Sequence, residues 1–583
     1  MEEILNLYRE LRGLFGENEL VVEFHQQIHR IIQGAIDQIP DNDRVAIRPA
    51  GGDTEKLLRL YDFSKKNIIG IVDREDYGDD FCGYPCFTTD FFSTESCDRV
   101  IVSSFYYRQA IKEELEGLHI PYIDIYDELE KQGIQLQLPY PDYERDANLR
   151  VNYFYLRWLH SKVGKQREAS LRELLQIAVE YKDFALISSI YQECGGENGE
   201  YPLLKTVWKK VEHLLNCLRE KIQERKQKDI ILFWTDSVPH EMLHYLPGIM
   251  ELSKQGTFFQ RAYPNTPFTN PTMRAIFCNM LPIDDFPQNQ ERIARGNSPL
   301  IQFMESEGYK VRVIGGSKRT MEEEYLFRAT EPTCNIKWWE GIADLLQSSE
   351  PCFYIFDFLE SHSPNYVPDL KEPVNFFRVA RTQKEVQTRA SFEYLDQCLT
   401  LYHKLLGNKR QVYFSDHGKQ FLEDIPWLER PLHSYCLAVG ENIPKITVTR
   451  FFPYRNFEKF VRWLVDPEHF SLDDVCADEV IFQDVDAYNP KYIDQLIQAN
   501  KAKKGISYRG ILNYNYKYVI NALGKEFFYQ MQKDGTEKLI PLEDPELRAE
   551  LRNKAGTKFL DIDKYDKFRH TRKLYDFIEQ NGK

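Results

Sequence analysis

The chain has 583 residues, 42% hydrophobic and 28% charged, enough for two or three domains with ample core. A formal net charge of −15, with no long basic stretch to offset it, argues against a nucleic-acid partner. No apolar run approaches the ~18 residues of a transmembrane span, and Met1-Glu2-Glu3-Ile4-Leu5 places acids where a signal peptide needs bases.

Residues 1–42 read as a helical segment, with Ile4, Leu7, Leu11 and Leu14 at helical spacing. From 43 to about 130 strand and helix alternate. Val45–Ile47 reads as a strand, followed by Ala50-Gly51-Gly52 and a helix. Asn67–Asp73, Arg99–Ser104 and Tyr122–Ile125 read as three more strands. This alternation predicts a small parallel α/β unit over 43–144. With glycines after its first strand, Gly70-Ile71-Val72-Asp73-Arg74 closing its second and Gly83-Tyr84-Pro85 beyond, the unit resembles the accessory Rossmann-like domains found beside sugar-modifying enzymes. Gly51-Gly52-Asp53-Thr54 is not the dinucleotide fingerprint, so no tightly bound NAD is expected and any ligand of this unit stays unknown. Asp73 either meets a ribose hydroxyl or simply ends its strand. Cys82 and Cys86 form Cys-x3-Cys without a partner pair. The eleven cysteines show no disulfide framework, which suits a reducing, cytoplasmic setting. The pairs Phe91-Phe92, Tyr106-Tyr107 and Trp338-Trp339 read as core rather than as a sugar platform. Residues 145–228 read as a charged helical linker whose last turns, Lys221 to Lys228, form a solvated face.

The remainder, 229–583, carries the chemistry. Ile230–Thr235 is a strand with Asp236 at its end, a position that suits either a ligand crevice or a helix cap before Pro239. Thr269, in Thr266-Pro267-Phe268-Thr269-Asn270-Pro271-Thr272, stands at a helix start, as N-cap, as nucleophile, or as both. Phe353–Phe356 is a strand leading through Asp357 to Glu360-Ser361-His362-Ser363-Pro364-Asn365-Tyr366. Val412–Phe414 is a short buried strand that runs into Ser415-Asp416-His417-Gly418. A carboxylate and an imidazole in tandem there are placed to bind a divalent cation; an ordinary turn is the alternative. Pro431-Leu432-His433 follows. Further on, Tyr508–Leu512, Tyr516–Ile520, Glu526–Tyr529 and Asp534–Glu537 resemble the C-terminal hairpin region of sulfatases.

In this order, Asp236, Thr269 and Asp416-His417-Gly418 resemble the alkaline phosphatase/sulfatase superfamily over about residues 228 to 550. Thr269-Asn270-Pro271-Thr272 is similar to the Cys-x-Pro-Ser-Arg motif of sulfatases with Thr for Cys and for Ser, while Arg274 falls one place late. Threonine does not give the formylglycine of sulfatases. It suits direct attack on phosphorus, as in the phosphoethanolamine and glycerol-phosphate transferases. Their Gly-Ser-His-Gly-Pro-x-Tyr segment resembles Glu360–Tyr366, and they carry a further His near the distance of His433. Two departures are Asp236, where the transferases usually have Glu, and the missing membrane anchor.

The resemblance implies a mixed sheet flanked by helices and one divalent ion, Mn²⁺, Zn²⁺ or Mg²⁺, held by Asp236, Thr269, Asp416 and His417. Thr269 is then the nucleophile, and His362 and His433 bind the phosphoryl group or protonate the leaving oxygen. Asp357 lies five residues before His362, where two-metal relatives have Asp-x3-His; with His433 it could build a second metal site. The expected activity is transfer of a phosphoethanolamine- or phosphoglycerol-type group to a glycan or related acceptor, with a homo-oligomer among the expected assemblies. The alternatives are a phosphodiesterase or phosphatase using the same residues, and a non-catalytic nucleotide-binding member.

Overall fold

A computed structural model describes residues 2–16, 19–75, 78–315, 320–372, 381–418, 432–484, 507–532, 537–564 and 569–581. The chain forms two compact units.

The unit built from 2–214 and 363–391 holds the parallel sheet expected from the N-terminal alternation. Its strands are β1 (Arg44–Arg48), β2 (Asn67–Asp73), β3 (Asp80–Phe81), β4 (Tyr84–Thr88), β5 (Arg99–Val102) and β6 (Tyr122–Asp124), in the order β3-β4-β2-β1-β5-β6. All pairings are parallel except β3 with β4. Ala46, Val72, Val100 and Val102 pack beneath Ile111 and Leu115 of the helix Arg108–Gly117. Asp73 closes β2 and accepts the Glu75 amide at 3.1 Å, as a strand-ending residue does. Ile4 and Leu11 of the first helix are buried, whereas Tyr107 is 54% exposed and departs from the core reading. A helical layer follows: Ala147–His160, Lys165–Glu180 and Phe184–Glu193. The segment after residue 363 joins this unit. Asn148 donates to the Tyr366 carbonyl at 3.2 Å, and Asn152 to those of Pro368 and Leu370 at 3.0 and 2.7 Å.

The other unit, 215–362 and 392–583, is built on an eight-stranded sheet. Its strands are β7 (Ile230–Thr235), β8 (Thr257–Tyr263), β9 (Lys310–Ile314), β10 (Leu326–Phe327), β11 (Cys352–Phe358), β12 (Arg410–Ser415), β13 (Ser434–Val439) and β14 (Ile446–Pro453). The order is β10-β9-β11-β7-β12-β13-β8-β14, and β13 alone runs against the others. β7, β11 and β12 are buried along their whole length, which is why they read as continuous apolar runs rather than alternating ones. A five-stranded antiparallel sheet completes the unit: β15 (Glu479–Asp484), β16 (Tyr508–Asn513), β17 (Tyr516–Asn521), β18 (Glu526–Met531) and β19 (Glu537–Leu539). Asp534, Gly535 and Thr536 lie outside the described residues. This is the mixed α/β architecture expected for the C-terminal part.

Arg225 breaks the solvated face expected of Lys221 to Lys228. Its side chain is 6% exposed and pairs at 2.9 Å with the buried Asp229, which also accepts from Lys409 at 3.0 Å. Among the described residues no helix is long and apolar enough to cross a membrane.

Candidate metal centre and nucleophile

The strand order brings the expected residues together. β7 lies between β11 and β12, all three parallel, so Asp236, Asp416 and the turn after Phe358 leave the sheet at one edge. β8 runs the same way, and its end leads in six residues to the helix Thr269–Cys278. Four chain segments far apart in sequence thus meet at the carboxyl ends of the strands.

Asp236 caps no helix: the next one starts at His240 with Pro239 as its N-cap. Its own amide donates to the Phe358 carbonyl at 3.1 Å, tying β7 to β11 at the site. Thr269 is not the N-cap either. Phe268 takes that place without a side-chain capping bond, so Thr269 begins the helix proper. Its hydroxyl is free for another role. Oγ1 lies 3.4 Å from Asp236 Oδ2 and 3.2 Å from His417 Nε2. Thr269 is half-buried and its neighbours Phe268 and Asn270 are exposed, so the hydroxyl sits at an open edge.

Asp416 is fully buried, His417 is 8% exposed and Asp236 2%. Asp416 Oδ1 accepts the amides of Ser237 at 3.1 Å and His417 at 2.9 Å. Oδ2 is buried and makes no hydrogen bond among the described residues. Burial first, and the Asp236 charge second, raise the Asp416 carboxyl to about 6. His417 Nδ1 is 2.6 Å from the Gly418 carbonyl; the only proton-bearing arrangement that fits is Nδ1–H donating. Nε2 is then a lone pair aimed at the cluster, 3.5 Å from Asp416 Oδ2 and 3.9 Å from Asp236 Oδ1. One ligand atom each from Asp236, Asp416 and His417 lies within 4.8 Å of the others. Two buried carboxylates, an orphaned oxygen and a tautomer-fixed imidazole fit a divalent cation, which would satisfy Oδ2 and offset the clustered negative charge.

The support beneath is hydrogen-bonded throughout. Ser415 Oγ accepts the Val238 amide at 2.8 Å and donates to the His417 carbonyl at 3.0 Å. Tyr454 and Ser434 both donate to the Ser415 carbonyl at 2.7 Å. These bonds hold Asp416 and His417 at fixed positions on the end of β12.

The two remaining histidines stand apart from this cluster. His362 is exposed in the turn after β11, its amide bonded to the Leu359 carbonyl at 2.9 Å. His433 precedes β13 at the same edge, but its ring is stacked between His240 at 4.2 Å and Tyr263 at 4.8 Å. Its Nε2 is 3.0 Å from the Gln260 carbonyl, which leaves Nδ1 as its acceptor. Burial, followed by the His240 charge, lowers it to about 3, so it is neutral at ordinary pH. His240 was not among the expected residues; no sequence signal marks it.

Asp357, the penultimate residue of β11, is 6% exposed and raised to about 7, chiefly by burial. Lys337 pulls against that shift, while Asp236, Asp416 and Glu360 add to it. The acidic cluster therefore extends one strand beyond the three metal-ligand candidates.

No protein-family model matches the chain, and no curated protein does. In solved structures it is similar to members of the alkaline phosphatase superfamily. One, from Vibrio parahaemolyticus, is 12% identical with a TM-score of 0.42, covering 62% of this chain and 95% of the other. A phosphonate monoester hydrolase from Silicibacter pomeroyi is 11% identical, TM-score 0.42, covering 58% and 97%. The lipoteichoic acid synthase LtaP from Listeria monocytogenes is 10% identical, TM-score 0.41, covering 63% and 97%.

Proposed function

We propose that this chain is a metal-dependent phosphotransferase in which Thr269 is the nucleophile. The observation that carries this reading is the Thr269 hydroxyl, uncommitted to capping and within 3.4 Å of Asp236 and His417, beside the orphaned oxygen of Asp416. Asp236, Asp416 and His417, with Thr269 as a further ligand, would hold a divalent ion, which when bound would lower the hydroxyl pKa and polarise a phosphoryl oxygen. Oxygen donors with one imidazole suit Mn²⁺, Zn²⁺ or Mg²⁺.

Thr269 Oγ1 then forms a bond to phosphorus as the bond to the leaving alcohol breaks, giving a phospho-threonine. An acceptor hydroxyl resolves it. The uncapped start of the helix Thr269–Cys278 offers amides to phosphoryl oxygens. His417 keeps its ring orientation through Nδ1–H, so the nucleophile and its partner do not drift. His362, exposed at the rim, is assigned to protonating the leaving oxygen. His433 is neutral with Nδ1 as its acceptor nitrogen, so its assigned role is to accept a substrate hydroxyl rather than give up a proton.

The donor class assigned is a phosphoethanolamine- or phosphoglycerol-type diester, and the acceptor a glycan or related alcohol. The eleven cysteines show no disulfide framework in their spacing, and a reducing, cytoplasmic compartment is assigned.

The test is a panel of small aryl phosphodiesters, phosphomonoesters and sulfate esters, each with loaded and chelated protein, with and without added alcohols. Metal-dependent turnover of diesters that partitions to the alcohol supports the transferase. Turnover to water alone reduces the reading to hydrolysis. Full activity after chelation, or activity confined to sulfate esters, refutes it.

A further inference from the structure

We propose that Arg274, on the helix that begins with Thr269, is the receptor of an oxyanion subsite separate from the metal centre, taking a phosphate or carboxylate group. The subsite needs no metal ion and does not depend on Thr269 being the nucleophile.

Among the described residues five arginines are at most 7% exposed: Arg48, Arg150, Arg274, Arg410 and Arg509. Burying a guanidinium is costly unless carboxylates or other acceptors receive it. Four of the five meet that condition. Arg48 forks onto Glu114 at 3.0 and 2.9 Å. Arg150 donates to the Tyr181 hydroxyl at 2.7 Å and the Glu144 carbonyl at 2.9 Å. Arg410 donates to the Leu464 and Val465 carbonyls at 2.5 and 3.1 Å. Arg509 donates to the Ala555 carbonyl at 2.7 Å and to Asp284 at 2.5 Å. Arg274 is as buried, at 6% exposure, but its Nη1 has no hydrogen-bond partner and its guanidinium forms no ion pair among the described residues. An arginine does not shed its proton in a protein, so what completes it is an anion.

The helix Thr269–Cys278 sets where that anion sits. Asn270 and Cys278 stand four residues to either side of Arg274 and share its face, whereas Thr269, five residues back, lies roughly 140° round the helix. The shared face meets two segments. Thr320 Oγ1 donates to Asn270 Oδ1 at 3.2 Å, and Cys278 Sγ is 3.8 Å from Asn297 Oδ1. The Ile293 amide donates to the Thr320 carbonyl at 2.8 Å and ties the two segments together. The acid of this wall, Glu291, is exposed; its charge reaches Arg274 without an ion pair. Asn270 is exposed beside Thr269, so the subsite lies one turn, roughly 6 Å along the axis, from the open edge. The planar fork of a guanidinium takes two oxygens of one phosphate or carboxylate at once. Because Arg274 is turned away from Thr269, the group it takes is not the phosphoryl group under attack. It is a second, unreacting anionic group of the substrate, or a free oxyanion.

The experiment is calorimetric titration of the chelated full-length chain with inorganic phosphate, so that no metal ion competes for it. Wild type should bind one phosphate and Arg274→Met none. Arg274→Lys should bind on the order of ten-fold more weakly, since the charge stays and the fork is lost. Should Arg274→Met fail to fold, Arg274→Lys alone serves. The source of the anion is read on the metal-loaded chain, with paired aryl phosphodiesters alike except for one carboxylate. A preference for the charged diester of about ten-fold or more in kcat/KM, lost in the Arg274 variants, assigns the subsite to the substrate. Phosphate bound through Arg274 without that preference assigns it to a free oxyanion. Phosphate binding unaltered in both Arg274 variants overturns the inference. So does a wild-type chain that neither binds phosphate nor prefers the charged diester. Either result leaves the metal reading intact, and a wild-type chain that binds phosphate but no metal ion overturns that reading alone.

Discussion

Asp416→Asn should stabilise the metal-free chain and destabilise the metal-loaded one. The Asn carbonyl can keep the bonds from the Ser237 and His417 amides, so what is lost is a buried charge. In the metal-free fold the Asp416 carboxyl sits at about 6 against an ordinary 3.8. The folded chain therefore holds a proton that the unfolded chain has released, and stability falls as pH rises between those values. At 1.36 kcal/mol per unit the penalty is small at pH 4 and grows to about 3 kcal/mol above pH 7. Asn carries no such penalty, so the variant should gain on wild type over that window, by up to about 3 kcal/mol at pH 8. With ion added the order should invert, because wild type gains the binding energy and the variant has lost a ligand. Urea unfolding followed by tryptophan fluorescence reads this out, with Trp234 buried in β7 two residues before Asp236. A metal-free variant no more stable than wild type at pH 8, or a wild-type chain indifferent to divalent ions, would refute the reasoning.

His433 should stay neutral down to about pH 4, since its folded value lies near 3. An imidazole titration followed by NMR checks this, and a His433 midpoint near 6 would show that the stack with His240 and Tyr263 is open. Arg225→Met should cost about 3 kcal/mol, because it leaves the buried Asp229 with Lys409 as its remaining cationic partner. Denaturation midpoints measure it, and a loss below about 0.5 kcal/mol, the usual size for an exposed pair, would contradict the buried pairing.

Asp236, Thr269, Asp416 and His417 were legible because each stands at the edge of a patterned run: three after continuous apolar strands, one at the start of a helix with an early proline. The capping alternatives were equally legible, and only tertiary placement removed them, by showing Phe268 and Pro239 at the caps. Trp338 and Trp339 are core as their sequence suggested, at 3% and 8% exposure. Lys337 beside them was invisible. A lysine in an amphipathic helix reads as surface, and its burial depends on Gly315, which lies in another element. The sandwich around His433 is of the same kind, since β8, β13 and the turn after β7 contribute to it through strand order. The attachment of the segment after residue 363 to the N-terminal unit rests on Asn148 and Asn152 side chains bonding to its backbone carbonyls, contacts with no periodicity to announce them.

The role of Thr269 is tested most directly by intact-mass analysis of metal-loaded protein, acid-quenched during turnover of an aryl phosphodiester. A phosphoryl adduct on Thr269, absent from Thr269→Ala and formed more slowly by Thr269→Ser, is the expected result. Thr269→Ala should still bind the ion through Asp236, Asp416 and His417, with turnover lower by orders of magnitude. An unmodified Thr269 throughout turnover, together with Thr269→Ala working near the wild-type rate, would contradict the nucleophile and leave water as the attacking group.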